Sequence, residues 1–167
     1  MNRASDVTRL QIGVSSLQQC DEPETVYNTP ANKFVAGFIG APPMNFLNGV
    51  VTGDRFDLGV MQIEIPKGHP CGGMAGKKVA VGIRPEDIYD ASDSPPVAAT
   101  EGNTFTATVD VLETLGAEDT AYLDVNGSTL TASLDPDSRV KVGASSRFVV
   151  NLSKLHVFDH ETEQAIR

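Results

Sequence analysis

The stretch GGMAGKK, from Gly72 to Lys78, has the residue types of a phosphate-binding loop, with glycines followed by lysines. Such a loop needs a glycine five positions before the glycine of its Gly-Lys pair, and a serine or threonine after the lysine to bind Mg²⁺. Here Cys71 and Lys78 occupy those two positions. The segment that follows has the pattern of a strand, whereas phosphate binding needs a helix N-terminus. We therefore predict a loop that does not bind ATP.

The possible metal ligands do not have the spacing of a known site. His156 and His160 have a separation that would place both imidazoles on one side of a helix. They follow a strand pattern and precede a turn, so we expect the two rings to point apart. Cys71 begins half of a motif similar to that of zinc deaminases, but Met74 stands where the second cysteine would be. We predict no metal site in this chain.

Catalytic serines and paired carboxylates are not indicated either. The sequence contains no G-x-S-x-G elbow, which would present a nucleophilic serine. The adjacent acids Glu86-Asp87 and Glu118-Asp119 lie beside predicted turns, where solvated carboxylates are common. We therefore predict that this chain is not an enzyme and holds no cofactor of its own.

Composition indicates one small domain with a real core. The chain has 167 residues, of which 40% are hydrophobic and only 6% aromatic, with no tryptophan, which suits a β-domain packed with valine, leucine and alanine. Its two cysteines make no disulfide framework. No secretion-signal pattern opens the chain, and its apolar runs are too short to cross a bilayer. We predict a cytoplasmic location.

The net charge of −9 is concentrated in the middle of the chain. Residues 84–119 carry nine acidic side chains and one basic side chain, whereas the flanking parts are close to balanced. An acidic stretch of this kind repels a phosphate backbone, which disfavours nucleic acid as a partner. Two interpretations stay open for it: a solvated acidic face, or a docking surface for a basic partner.

Helix signals are confined to the first part of the sequence. Asp21 is a candidate N-cap for a helix over Pro23–Tyr27. A second helix is predicted to begin near Asn32 and to end at Gly37 or Gly40. Two adjacent prolines then break the periodicity and predict an extended linker.

Strand patterns dominate the rest of the chain. Residues 48–88 are predicted to form short strands: FDLGVMQIEIP alternates through Met61, Ile63 and Ile65 and stops at Pro66, and KKVAVGIRP is a strand that enters a turn. A long β-branched strand, TFTATVDVLETL, follows, and then a hairpin at Asn126-Gly127, where both positions tolerate positive φ. Strands RFVVNL and KLHVF come last. The predicted fold is mainly β, a small OB-like or MOP-like β-barrel with a short helical N-terminal appendage.

Several of these segments form a long and specific motif series, which resembles the ATP-binding proteins of sugar-import ABC transporters, of the maltose and glycerol-phosphate importer type. The matching motifs are PANKFVAGFIGAPPMNF over residues 30–46, GIRPE over 82–86, VLE with LG over 111–116, and LHVFD over 155–159. The Walker A, signature and Walker B motifs and the switch histidine of that family are absent from this sequence. ATP and Mg²⁺ are therefore expected only in a full-length parent.

The resemblance implies a division of the chain and a set of partners. Residues 1–47 would be the tail of a nucleotide-binding domain and a helical linker, and residues 48–167 an OB-like regulatory, transport-associated domain. Such a domain helps to hold two ATPase subunits together and receives inhibitory signals. The implied partners are a second copy of the chain, transmembrane subunits contacted through the ATPase domain, and an inhibitory regulatory protein. The implied location is the inner face of the cell membrane.

The resemblance also implies candidate contact residues, although structural use is an alternative for each. They are Arg84, Glu86, Gly116, His156 and Phe158, which lie at the GIRPE turn, the Leu115-Gly116 turn and the last strand. In addition, four apolar residues of the second helix region are expected to pack against the barrel or against a second copy and to form a dimer: Phe34, Val35, Phe38 and Ile39.

A different class of function stays open beside this one. Related barrels bind oxyanions or sugars, and the glycine-rich Gly72–Gly76 loop offers backbone N–H groups for such a ligand. The alternative is therefore a free-standing barrel that binds a small ligand, although the acidic middle of the chain argues against an anion. An OB-fold nucleic-acid binder would need a basic groove with aromatic stacking platforms, and both are lacking in the sequence.

Overall fold

The computed structural model describes residues 8–11 (backbone only), 17–114 and 116–167 of the chain. The elements in order are β1 (Thr8–Gln11), β2 (Leu17–Asp21), α1 (Pro23–Asn28), α2 (Lys33–Phe38), β3 (Asn45–Thr52), β4 (Arg55–Asp57), β5 (Gln62–Glu64), β6 (Lys78–Ile83), β7 (Ile88–Asp90), β8 (Thr104–Thr114), β9 (Asp119–Val125), β10 (Ser128–Leu134), β11 (Ser145–Val150) and β12 (His156–Asp159). Short 3₁₀ turns span Pro85–Asp87 and Leu152–Lys154. Neither of the described α-helices has the length and apolar character needed to cross a bilayer.

Two five-stranded antiparallel sheets make up most of the fold. Their strand orders are β12-β6-β3-β4-β5 and β10-β9-β8-β11-β7, and β1 and β2 form a separate two-stranded pair. One buried cluster includes side chains from both sheets, among them Phe56, Ile63, Leu123 and Phe148. The predicted mainly β class, built as a curled OB-like sheet with a short helical appendage, is confirmed.

Two smaller clusters attach the helices to the sheets. Ala36 of α2 packs with Met44, Ala80 and Phe158. Val26 of α1 packs with Val35 of α2, so the two helices also bury residues against each other. We refer to residues 22–44, which contain both helices and the following linker, as the helical segment.

The predicted helices are confirmed, with one correction. Helix α2 begins after Asn32, whose side chain accepts a hydrogen bond from the Val35 N–H at 2.9 Å. Asp21 was the predicted N-cap of α1, and this was wrong: Glu22 holds that position without a side-chain bond, and Asp21 is still part of β2. Pro23, as the first helical residue, has no N–H that would need a partner.

The strand pattern predicted within residues 56–66 corresponds to two short strands, because the chain turns back between β4 and β5. Asp57 accepts a hydrogen bond from the Gly59 N–H at 3.0 Å, and Gly59 has a φ of +77°. The turn pairs Phe56 with Ile63, and both are fully buried. In one continuous strand these two side chains, seven positions apart, would face opposite sides of the sheet.

The predicted hairpin at Asn126-Gly127 is confirmed. Asn126 has a φ of +51° and Gly127 a φ of +89°, as a two-residue type I′ turn requires. Asp124 accepts a hydrogen bond from the Gly127 N–H at 2.8 Å, and the Asn126 amide reaches across to the Val60 carbonyl oxygen, also at 2.8 Å. The turn therefore joins β9 and β10 and also contacts the β4–β5 connection.

Candidate functional site

Four of the five candidate contact residues line one open groove of about 470 Å³, and Gly116 lies elsewhere. The groove runs between the end of α1, the Pro85–Asp87 turn, the Leu152–Lys154 turn, β12 and the last residues of the chain. Arg84, Glu86, His156 and Phe158 are the four. Residues of the helical segment and of the sheets thus meet at this groove.

Arg84 connects the barrel to the helical segment. It is only 3% exposed. Its guanidinium donates hydrogen bonds to the carbonyl oxygens of Ile39 at 3.0 Å and Tyr27 at 2.5 Å. The guanidinium carbon also lies 3.7 Å from the centroid of the Tyr27 ring, within cation–π range. The sequence alone left Arg84 open as a surface contact or a structural residue, and the geometry makes it an anchor of both helices.

Glu86 is exposed at the rim of the groove and accepts a hydrogen bond from the Tyr27 hydroxyl. The pKa of Tyr27 is raised to about 12, chiefly because the side chain is partly buried and secondly because of this hydrogen bond with Glu86. Tyr27 is therefore held from both sides, by Arg84 at its ring and by Glu86 at its hydroxyl. Its ring and hydroxyl contacts attach the end of α1 to the Pro85–Asp87 turn.

His156 and Phe158 occupy the floor of the groove. Phe158 is fully buried, and its ring meets Phe46 edge to face at a centroid distance of 5.9 Å. His156 stacks on Phe158 at 6.5 Å. Burial first, and then the positive charges of Arg84, Arg167 and Lys154, lower the pKa of His156 to about 4. The imidazole is therefore neutral at neutral pH.

The pKa of Asp87, in the Pro85–Asp87 turn, shifts in the opposite direction to that of His156. Burial, together with the neighbouring charge of Glu86, raises its pKa to about 6. Its carboxylate is therefore held in a place that disfavours its charge. The groove thus combines a histidine that resists protonation with a carboxyl that resists ionisation.

We expect the stability of the fold to depend on His156 as the pH falls. The folded-state pKa of about 4 is below the ordinary 6.5, so the stabilising contribution is present above pH 6.5 and is lost as the pH falls through about 4. Lowering the pH across this window should reduce the free energy of unfolding by about 2 kcal/mol through this residue, allowing for solvent screening. Urea unfolding of the wild type and of His156→Phe at several pH values measures it.

The difference between the two unfolding curves isolates the histidine, because both proteins keep Asp87. The effect of Asp87 on the pH dependence of stability has the opposite sign. The raised pKa of Asp87 gives a contribution to the stability of the fold that is fully present below pH 3.8 and is lost as the pH rises through about 6. An Asp87→Asn variant, which keeps His156, should show a larger acid-induced loss than the wild type, because protonation of Asp87 offsets part of that loss in the wild type. If wild type and His156→Phe lose stability in parallel, the histidine is not responsible.

The C-terminal residues fasten the helical segment from the other side, and the sequence analysis missed this contact. Arg167 donates hydrogen bonds to the carbonyl oxygens of Thr29 at 2.6 Å and Pro30 at 2.7 Å. The Ala165 N–H donates to the Ala31 carbonyl oxygen at 3.0 Å. Nothing in the local sequence indicates these contacts, because the two residues joined by each Arg167 bond lie 138 and 137 positions apart.

Gly116 lies in the β8–β9 connection, away from the groove, is exposed and has a φ of +100°. Leu115, which the sequence analysis placed in the same turn, lies outside the described residues. Lys77, the lysine of the loop that resembled a phosphate-binding loop, forms an ion pair with Asp159. Within residues 17–114 and 116–167, no group of three or more histidine, cysteine or acidic side chains is placed to hold a metal ion.

The outer face of α2 and the start of β3 together present an aromatic patch, which we define as Phe34, Phe38 and Phe46. Phe34 and Phe38 are 43% and 57% exposed, and their rings stack at a centroid distance of 6.3 Å. Lys33 lies over the Phe46 ring at 5.5 Å. Val35, on the other face of α2, is fully buried within the chain and packs with Ile39. The apolar residues predicted to seek a partner are therefore divided between an internal contact and an exposed patch.

The sequence matches two family models that together span both sheets. A MalK OB fold domain matches residues 40–88, and a TOBE domain matches residues 100–157. Over 155 residues the chain is 43% identical to the trehalose/maltose import ATP-binding protein MalK of Thermococcus litoralis, with 90% of this chain and 41% of that protein covered. It is 35% identical to the oligosaccharides import ATP-binding protein MsmX of Bacillus subtilis, with 90% and 42% covered.

A solved structure shares the fold at low sequence identity. The cytoplasmic molybdate-binding protein ModG, with molybdate bound, aligns with a TM-score of 0.56 at 19% identity and covers 68% of this chain and 94% of its own. At that identity the likeness concerns the fold alone. The family assignment therefore rests on the import ATP-binding proteins that share higher sequence identity with the chain. The chain spans less than half of the length of these relatives. The chain belongs to the family of maltose-type ABC importer ATP-binding proteins, and it corresponds to the C-terminal portion that holds their MalK OB fold and TOBE domains.

Proposed function

We propose that this chain is the regulatory portion of an ATP-binding protein that drives sugar import, and that it does not itself hydrolyse ATP. The observation that carries the proposal is the hydrogen-bonded attachment of the helical segment to the barrel. Arg84 holds this segment by two carbonyl oxygens, and Arg167 holds it by two more. A partner that binds the barrel would therefore move the helical segment, and the segment would pass that movement to an ATPase domain.

The aromatic patch is the surface that we assign to the rest of the subunit. More than half of each curated relative lies outside the match, so a further domain is available to cover Phe34 and Phe38. Two stacked and exposed phenylalanines on one short helix are a larger apolar area than scattered surface residues provide. In this proposal residues 1–47 join the ATPase domain to the barrel, and residues 48–167 form the regulatory unit.

The proposal extends to the assembly of the transporter. The relatives are named as import ATP-binding proteins, and subunits of this kind work beside transmembrane subunits. We assign the barrel a contact with a second copy of the subunit and with an inhibitory regulatory protein, at the cytoplasmic face of the membrane. Glu86 and the Gly116 turn are exposed and accessible to such partners, whereas Arg84 and Phe158 act through packing.

A chimaera tests this function directly. The matching portion of the Thermococcus litoralis protein is replaced by this chain, and ATP hydrolysis is measured. We expect the chimaera to hydrolyse ATP, and a Phe34→Asp/Phe38→Asp double variant to lose most of this activity because the contact with the ATPase domain is broken. Val142→Asp, which changes a 59% exposed valine elsewhere on the surface, is the matched control and should retain activity.

The second candidate function is a free-standing barrel that binds an oxyanion or a sugar. The fold similarity to ModG supports it, but that similarity carries no residue of a binding site. The same chimaera separates the two functions. If the chimaera folds and fails to hydrolyse ATP, or if the double variant is as active as the Val142→Asp control, the transporter function proposed for the aromatic patch is wrong.

A further inference from the structure

The groove beside Arg84 has the size and the polar groups of a small-ligand site. Its volume of about 470 Å³ lies within the range of small-molecule pockets. Three cationic side chains, Arg84, Lys154 and Arg167, line it, and its carboxylates are Glu86 and Asp87. These residues come from three separate parts of the chain, so the fold brings them together.

The electrostatic balance of the groove favours an anion. The three cations each disfavour a positive charge on His156, and Glu86 alone among the charged neighbours named for it acts in the opposite sense. Glu86 already accepts a hydrogen bond from Tyr27. With Asp87 counted as well, three cations and two carboxylates line the groove, so a negative group placed there would meet a small net positive charge.

The cations of the groove differ in how accessible they are. Arg84 is 97% buried, and both terminal nitrogens of its guanidinium donate to carbonyl oxygens, so it contributes its charge to the groove rather than a free donor. Lys154 is exposed, and among the described residues it forms no direct ion pair.

We propose that this groove binds a small molecule that carries a phosphate group, with Lys154 as the direct cationic contact, His156 as a neutral N–H donor, and the buried charge of Arg84 adding to the attraction. The phosphate oxygens offer several acceptors, which suits a site that presents a lysine ammonium and an imidazole N–H. The bound molecule would contact the helical segment at Tyr27 and the barrel at β12 together. Binding would therefore strengthen the attachment between the two, which extends the regulatory function proposed above but does not depend on it.

Isothermal titration calorimetry of the 167-residue chain tests the site. The probes are inorganic phosphate, glucose 6-phosphate and glucose, at low and high salt. We expect saturable binding of both phosphates, weaker binding at high salt because the contact is ionic, and no binding of glucose. Lys154→Ala should weaken phosphate binding about tenfold, the size expected for a lost charged hydrogen bond.

Lys141→Ala is the matched control, because Lys141 is exposed and lies outside the groove. It should bind as the wild type does. Lys154 is itself on the surface, so its variant should fold, and circular dichroism verifies this. The proposal is overturned if a folded wild type binds neither phosphate, if glucose binds as well as glucose 6-phosphate, or if Lys154→Ala and Lys141→Ala bind alike. None of these results bears on ATP hydrolysis by the chimaera.

Discussion

Replacing Arg84 with methionine is expected to lower the free energy of unfolding by about 3 kcal/mol. The change removes the hydrogen bonds to the carbonyl oxygens of Ile39 and Tyr27, and it removes the cation from the face of the Tyr27 ring. The two carbonyl oxygens would lose a donor in a place that water reaches poorly. Methionine keeps most of the apolar volume of the side chain, so the loss of stability measures the contribution of the guanidinium contacts.

The change should act first on the helical segment. Limited proteolysis is expected to cut the variant within residues 22–44 before it cuts the sheets, whereas the wild type should resist at both places. Arg147→Met is the matched control, since Arg147 is exposed and, among the residues that the structure describes, its guanidinium donates a hydrogen bond only to the Thr104 hydroxyl, at 2.9 Å. Arg84→Lys should recover only part of the stability, because an ammonium lacks the planar fork. Equal unfolding curves for both arginine-to-methionine variants would contradict the anchoring role.

Gly49→Ala is expected to destabilise the fold by about 3 kcal/mol, although it adds only one methyl group. Gly49 lies in β3, beside the place where β4 pairs. A Cβ at this position would overlap the carbonyl oxygen of Asp57 and would lie 2.7 Å from the Leu58 side chain. A backbone atom cannot rotate away, so the β3–β4 pairing would have to shift. Thermal or urea unfolding measures the effect.

Gly37→Ala provides the comparison for this prediction. A Cβ on Gly37 would lie 3.1 Å from the end of the Phe46 ring, which is a side chain on the surface patch and is able to move. Alanine also favours a helix over glycine, so the variant should stay within about 1 kcal/mol of the wild type. A Gly49→Ala protein as stable as Gly37→Ala would show that β4 adjusts freely.

Local chemistry made some elements predictable from the sequence. The Asn126-Gly127 turn requires positive φ at two positions, and Asn32 offers a side-chain cap, so both were found correctly. The β4–β5 turn was missed because Gly59 interrupts an alternating pattern without the usual turn neighbours. In β8 the register shifts between Val109 and Val111, which leaves Val111 47% exposed. That bulge depends on pairing with β9, which local pattern does not reveal.

The candidate site was only partly predictable for the same reason. The GIRPE motif pointed to Arg84 and Glu86, but their partners Tyr27 and Ile39 are more than 40 positions away. Arg167 carried no motif at all, and its role depends on carbonyl oxygens, which every residue possesses. The family resemblance supplied the correct class of protein, and the three-dimensional contacts were needed to distinguish an anchor from a surface residue.

The contact of Arg167 with Thr29 and Pro30 also bears on how the molecule folds. It joins residues 138 and 137 positions apart, so it closes nearly the whole described chain into a ring. The entropy lost in closing so long a loop is recovered only when the intervening strands are already in place. The helices should therefore dock late in folding, and in the native protein they should open as a cooperative unit of lower local stability than the sheets beneath them.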